Sequence, residues 1–235
     1  MTEEKKKESN VVYLTNVRLS FPHLIQPYAQ EGQGEPKYSA DFILPATHAG
    51  WAKFFEVVNK MALEKWKEHA SSVLQQVNGD PKRRCYGDGS QKVDQKTFKP
   101  YDGYAGMVFI AANRKQGIPP QIIQGDGVAI DPQNTMAYAV LTREMYGGCR
   151  VNAAIKPWLQ ENQFGRAVRC ELLAIQKCGD DTPFGDAITD ASGYFGQVAA
   201  PAPGPSPAGA PFAPPTAPMP AAPFGTPSAL PSFLT

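Results

Sequence analysis

The last 45 residues, 191–235, carry no charge, and twelve prolines fall between Pro201 and Thr235. Proline fixes φ and removes a backbone donor, so this stretch supports neither helix nor sheet. It is expected to be a disordered Pro/Ala-rich tail, with Phe212, Phe224, Leu230, Phe233 and Leu234 as apolar points along it. What remains suffices for one domain of ordinary size. The expected division is a charged leader over 1–10, a folded domain over 11–179, an acidic segment over 180–190 and the tail over 191–235. The acidic segment holds Asp180, Asp181, Asp186 and Asp190.

The folded stretch reads as strands around one helix. Val11, Tyr13, Val17, Leu19 and Phe21 share one face of a first strand, which Pro22 and Pro27 are expected to end. Tyr38, Ala40, Phe42 and Leu44 share a face over 37–44. From Trp51 to Val77, apolar residues recur at helical spacing, which predicts one long amphipathic helix over 48–77 with Thr47 as N-cap. Trp51 and Trp66 are then core anchors. Further strands are expected over 105–112, 147–156 and 167–177, with weaker strand-like runs at 120–130 and 136–142. Five or six short strands and one helix give an all-β-dominated fold, and closing the sheet into a barrel is the economical way to hide its edges.

Several function classes lack their residues. No apolar run reaches the ~18 residues of a membrane span. The leader MTEEKKKESN has no signal-peptide core. Cys85, Cys149, Cys170 and Cys178 form no CxxC pair, so they read as reduced thiols of a cytosolic protein. His48 and His69 lie toward opposite ends of the predicted helix and cannot share a metal. No HExxH, Gly-x-Ser-x-Gly, Walker A or GxGxxG run occurs. No catalytic residue, metal or cofactor is assigned.

Charge concentrates elsewhere. Residues 81–115 hold Lys82, Arg83, Arg84, Lys92, Lys96, Lys99, Arg114 and Lys115 against Asp88, Asp94 and Asp102, a balance of 8 − 3 = +5. Tyr86, Phe98, Tyr101 and Tyr104 are interleaved with them. Single-stranded nucleic acid needs this mixture, because cations follow its phosphates and flat rings take unpaired bases. A second candidate face is the polar side of the strand carrying Arg150, Asn152 and Lys156, with Trp158 just beyond. The alternative is a solvated loop whose rings pack on the barrel.

The order of several blocks resembles a family of bacteriophage single-stranded-DNA-binding proteins. They are Asn16–His23 (NVRLSFPH), Lys37–Pro45 (KYSADFILP), Tyr101–Asn113 (YDGYAGMVFIAAN), Met145–Trp158 (MYGGCRVNAAIKPW) and Gln176–Gly185 (QKCGDDTPFG). The resemblance implies an oligonucleotide/oligosaccharide-binding (OB) barrel. It also implies a non-enzymatic protein that coats single strands, largely without sequence preference, in phage replication, recombination or repair. Its place would be the cytoplasm of the infected bacterial host. The tail's Leu230, Phe233 and Leu234 are expected to dock on phage or host replication or recombination proteins. Here the acids come early and the end is uncharged, which departs from DNA-binding proteins with acidic tails. Two other readings are a protein-interaction module recruiting partners through the Pro-rich tail, and a metal-dependent nuclease acting on the same DNA.

Overall fold

The structure, a computed structural model, describes residues 10–29 and 34–185. The tail, with Leu230, Phe233 and Leu234, lies outside the described residues.

Among the described residues, seven strands form one sheet in the order β3-β4-β2-β1-β6-β7-β5. They are β1 (Val12–Tyr28), β2 (Lys37–Leu44), β3 (Tyr86–Asp88), β4 (Val108–Lys115), β5 (Gln121–Ile123), β6 (Arg150–Asn162) and β7 (Gly165–Gly179). A parallel contact between β4 and β7, with Asn113 opposite Glu171, closes β1-β2-β4-β7-β6 into a five-stranded ring. That ring, with antiparallel neighbours elsewhere, is the OB barrel. Inward residues follow the two-residue period within each half of β1, but the register shifts between Leu14 and Val17. Val12 and Leu14 therefore face inward before the shift and Val17 and Leu19 after it, whereas Tyr13, expected on the same face as Val17, is 70% exposed, and Phe21 is 41% exposed. Leu14, Val17 and Leu19 join Phe42, Ile110, Val151, Ile155 and Leu172 in the core, all at most 1% exposed.

Pro22 and Pro27 do not end β1, which runs through both to Tyr28. β6 pairs with β1 only as far as Arg18, so both prolines fall where one edge of β1 has no strand beside it among the described residues. The pairing with β2 also shifts register between Ser20 and His23 and again before Tyr28. Proline is tolerated in both settings. The strand expected over 105–112 is β4, displaced to Val108–Lys115, because residues 102–106 are turn.

The helix is broken rather than continuous. α1 (Ala49–Trp66) and α2 (Ala70–Gly79) are separated by a 3₁₀ turn at Lys67, whose φ is +48°. Phe54, Val58, Ala62 and Trp66 of α1, and Ala70, Val73 and Val77 of α2, stay buried across the break. The N-cap is His48, not Thr47. Its Nδ1 accepts from the Gly50 amide at 2.9 Å, so Nε2 carries the proton and donates to the Thr15 carbonyl at 2.9 Å. That fastens the helix start to β1.

The expected strand at 136–142 is a helix, α3 (Thr135–Arg143), capped by the Asn134 side chain. Its alternating small and large residues also satisfy a helical period, with Tyr138 and Thr142 buried four residues apart. Of the expected run 120–130, only β5 is a strand, and it lies parallel to β7.

Candidate nucleic-acid interface

A groove of about 810 Å³ lies where the C-terminal end of β4 meets β2, β6 and β7. Five cations, Lys37, Arg114, Lys115, Lys156 and Arg169, line it against one carboxylate, Glu171. Strand register assembles them. Lys37 sits directly opposite Lys115, and Trp158 opposite Arg169. Like charges facing each other across a sheet oppose folding. The Lys37–Lys115 pair therefore has no stabilising role, and it fits a surface that meets an anion.

Lys156, Trp158 and Gln160 alternate along the outward face of β6. Trp158 is 42% exposed. Arg169 is held in place by two hydrogen bonds, from Nε to Gln160 at 3.2 Å and from an Nη to the Lys82 carbonyl at 3.0 Å. Arg114 donates to the Leu173 carbonyl at 3.2 Å and lies 3.5 Å from Glu171, while its buried Nε has no hydrogen-bond acceptor among the described residues. Lys37, Lys115, Lys156 and Arg169 have no carboxylate partner among the described residues.

Of the residues expected to contact nucleic acid, the groove gathers Arg114, Lys115 and Lys156. The turn at 81–84 borders it through the Arg169–Lys82 bond. Lys82 is exposed there, and Arg83 pairs with Asp80 at 3.2 Å. Arg84 lies in a neighbouring cavity.

Lys96, Phe98 and Lys99 occupy the exposed tip of a small hairpin. Asp94 builds that tip by accepting from the Lys96 and Thr97 amides at 2.8 Å each. None of the three lines the groove. Phe98 is 79% exposed. Tyr101 is half-buried and packs edge-on against Phe21 at 5.0 Å.

Four expected contacts are committed to partners within the protein itself. Tyr86 is buried against Trp51, Phe54 and Phe55 and donates to the Asn78 side chain at 2.5 Å. Burial, above all, pushes its phenol up to about 12. Tyr104 is 0% exposed and donates to Asp41 at 2.6 Å. Burial first, and the Asp41 carboxylate second, raise its phenol far above the ordinary value. Lys92 forms an ion pair with the same Asp41, among the rings of Phe21, Tyr104 and Phe109. These contacts fasten the 89–107 loop over the outer face of β2 and β4.

Arg150 is the fourth, turned to the other end of β6. It pairs with Asp181 at 2.7 Å and donates to the Asn16 carbonyl at 3.1 Å. Arg18 joins it, 3.6 Å from Asp181, hydrogen-bonded to the Thr182 carbonyl and stacked on the Phe184 ring at 4.3 Å. Phe184 lies over Gly103, where a Cβ would strike its ring. Residues 180–185 thus dock on the barrel.

The Thr182 amide, first, and the Arg150 side chain, second, hold the Asp181 carboxyl below its ordinary value. A depressed folded pKa contributes stability that is complete above the unfolded value and is lost as pH falls through the folded one. The gap in thermal midpoint between the natural chain and Asp181→Asn is therefore expected to be full at pH 7. It should close as pH falls below the ordinary carboxylate value near 3.8. A gap that stays constant on acidification would remove this contact from the account.

Lys37 and Arg169 are not marked by the sequence, which places Trp158 only just beyond the candidate face of Arg150, Asn152 and Lys156. Alternation along β6 marks Trp158 as sharing a face with Lys156. Lys37 and Arg169 enter only through pairing with distant strands.

Among the described residues, no group of three or more His, Cys, Asp or Glu side chains is placed to hold a metal ion. No described helix is long and apolar enough to cross a membrane.

A family profile described as the Enterobacter phage Enc34 ssDNA-binding protein matches residues 10–202. "Putative protein p50" of Acyrthosiphon pisum secondary endosymbiont phage 1 is 31% identical over 180 residues, covering 76% of this chain and 86% of that one. The structure of the bacteriophage Enc34 single-stranded DNA-binding protein in complex with ssDNA is similar, with TM-score 0.58 and 30% identity, covering 76% of this chain and 91% of that one. A C-terminal truncation of the Enc34 protein has TM-score 0.54 at 30% identity, covering 75% and 90%.

Proposed function

This chain belongs to the phage single-stranded-DNA-binding family typified by the Enc34 protein, and on that premise we propose that it coats single-stranded DNA through the groove between β4 and the β6–β7 hairpin. The carrying observation is the set of five cations facing one carboxylate around a half-exposed Trp158. Lysine and arginine neutralise phosphates whatever the sequence, and an indole face stacks on any base. The role is that of a binding protein in phage replication, recombination or repair, without catalysis or cofactor, in the cytoplasm of the infected host. Leu230, Phe233 and Leu234 of the tail are read as docking points for replication or recombination proteins.

Fluorescence anisotropy of labelled 20–30-mers at several salt concentrations tests this reading. Mixed-sequence and dT strands are expected to bind alike, and the matching duplex much more weakly. Up to five phosphate contacts give a log–log salt slope of about −3 to −3.5. Absence of single-strand binding at low salt would overturn the assignment.

A further inference from the structure

A second cavity, of about 340 Å³, lies between the 81–84 turn, β3 and β4. We infer that it is a subsite for one unpaired nucleobase of the bound strand, with Phe109 as its stacking ring and Arg84 as its phosphate contact. The inference rests on the reading of the groove and extends it.

Continuity is the first argument. Phe109, Ala111 and Asn113 share one face of β4 by the two-residue period. Phe109 and Ala111 line the cavity, and Asn113 lines the groove. From Ala111 to Asn113 is about 7 Å along the strand. A strand leaving the groove along β4 therefore enters the cavity.

The second argument is Gly87. Glycine inside a strand is unfavourable, and the backbone here does not require it, since Gly87 is not among the positive-φ glycines. What distinguishes the position is the closeness of Phe109. A Cβ there would lie 3.1 and 3.3 Å from two atoms of the Phe109 ring. A larger side chain would press on the ring and enter the cavity that Gly87 and Phe109 both line.

The third argument is charge. Arg84 lines the cavity and has no carboxylate partner among the described residues. Lys92 does have one, Asp41, so its ammonium is held 4.7 Å from the centre of the Phe109 ring as part of the fold. Arg84 is thus the cation available to a phosphate there.

The test uses the full chain and dT 25-mers, each carrying one abasic position moved along the strand. In the natural chain, losing the base in this subsite is expected to weaken binding by roughly 5- to 150-fold, the range for one stacked base. In Gly87→Leu, which fills the cavity, that position-specific loss should disappear while losses assigned to Trp158 persist. In Arg84→Ala, the salt slope should fall in magnitude by about 0.7. A folded Gly87→Leu with the natural abasic profile would overturn the inference. Should Gly87→Leu not fold, Arg84→Ala decides, and an unchanged slope overturns it. Failure of these outcomes with groove binding intact removes the subsite alone. Failure of the natural chain to bind single strands removes the underlying reading.

Discussion

Replacing Lys37, Lys115 and Lys156 together by alanine is expected to lower affinity for single-stranded DNA by roughly a hundredfold at ~0.1 M salt. Each phosphate contact on a single strand contributes about 0.7 to the log–log salt slope. Three lost contacts should therefore reduce its magnitude by about 2, and all sequences should weaken equally. The fold should not suffer. All three side chains line an open groove, and Lys37 faces Lys115 across the β2–β4 pairing, so removing the pair relieves repulsion. A double variant at the hairpin tip, Lys96→Ala with Lys99→Ala, is the comparison. It should change the slope little, because neither residue lines the groove. Equal losses from tip and groove would place the DNA path over the hairpin instead.

Tyr104→Ala is expected to act on the other half of the account, stability. The side chain is 0% exposed, and its ring lies 6.2 Å from Phe21 and 5.8 Å from Phe109. Truncating a buried aromatic of this size costs about 3–5 kcal/mol. It also removes the donor that, with Lys92, satisfies the buried Asp41 carboxylate. Tyr104→Phe keeps the ring and loses only the hydroxyl's hydrogen bond, so about 0.5–1.5 kcal/mol is expected. Denaturant unfolding measures both. Tyr104→Ala with natural stability and lost DNA affinity would return the ring to the binding surface.

The contrast between Tyr104 and Trp158 shows what the sequence carried and what it withheld. Alternation along β2, β6 and β7 is legible because each strand has one face in the core. The barrel, the helical stripe and the polar face of β6 follow from it. The cluster at 81–115 is legible as charge, but a count of cations does not show which carboxylates neutralise them. Lys92 finds Asp41, 51 positions away, and so leaves the available charge. Tyr86 and Tyr104 sit among polar neighbours in the chain, yet the fold presses them onto Phe54, Phe55 and Phe109.

Lys37 and Arg169 show the converse. Each is an ordinary surface cation along its own strand, and becomes part of a site only through register with Lys115 and Trp158. Pro22 and Pro27 misled for a related reason. Proline breaks a strand that needs its donors on both edges, and only tertiary pairing shows that the β6 pairing of β1 stops at Arg18, short of both prolines.

The most direct test of the central claim is intrinsic tryptophan fluorescence, followed while dT oligonucleotide is titrated into the natural chain and into Trp158→Phe. Trp66 is 5% exposed, and Trp51 packs edge-on against Phe55 beside the core. Trp158 alone of the three lines the groove. The natural chain should show quenching that saturates together with binding. Trp158→Phe should still bind, more weakly, with the quenching largely gone. Quenching that survives in Trp158→Phe, or saturated binding of the natural chain without any change in emission, would contradict the placement of the strand in this groove.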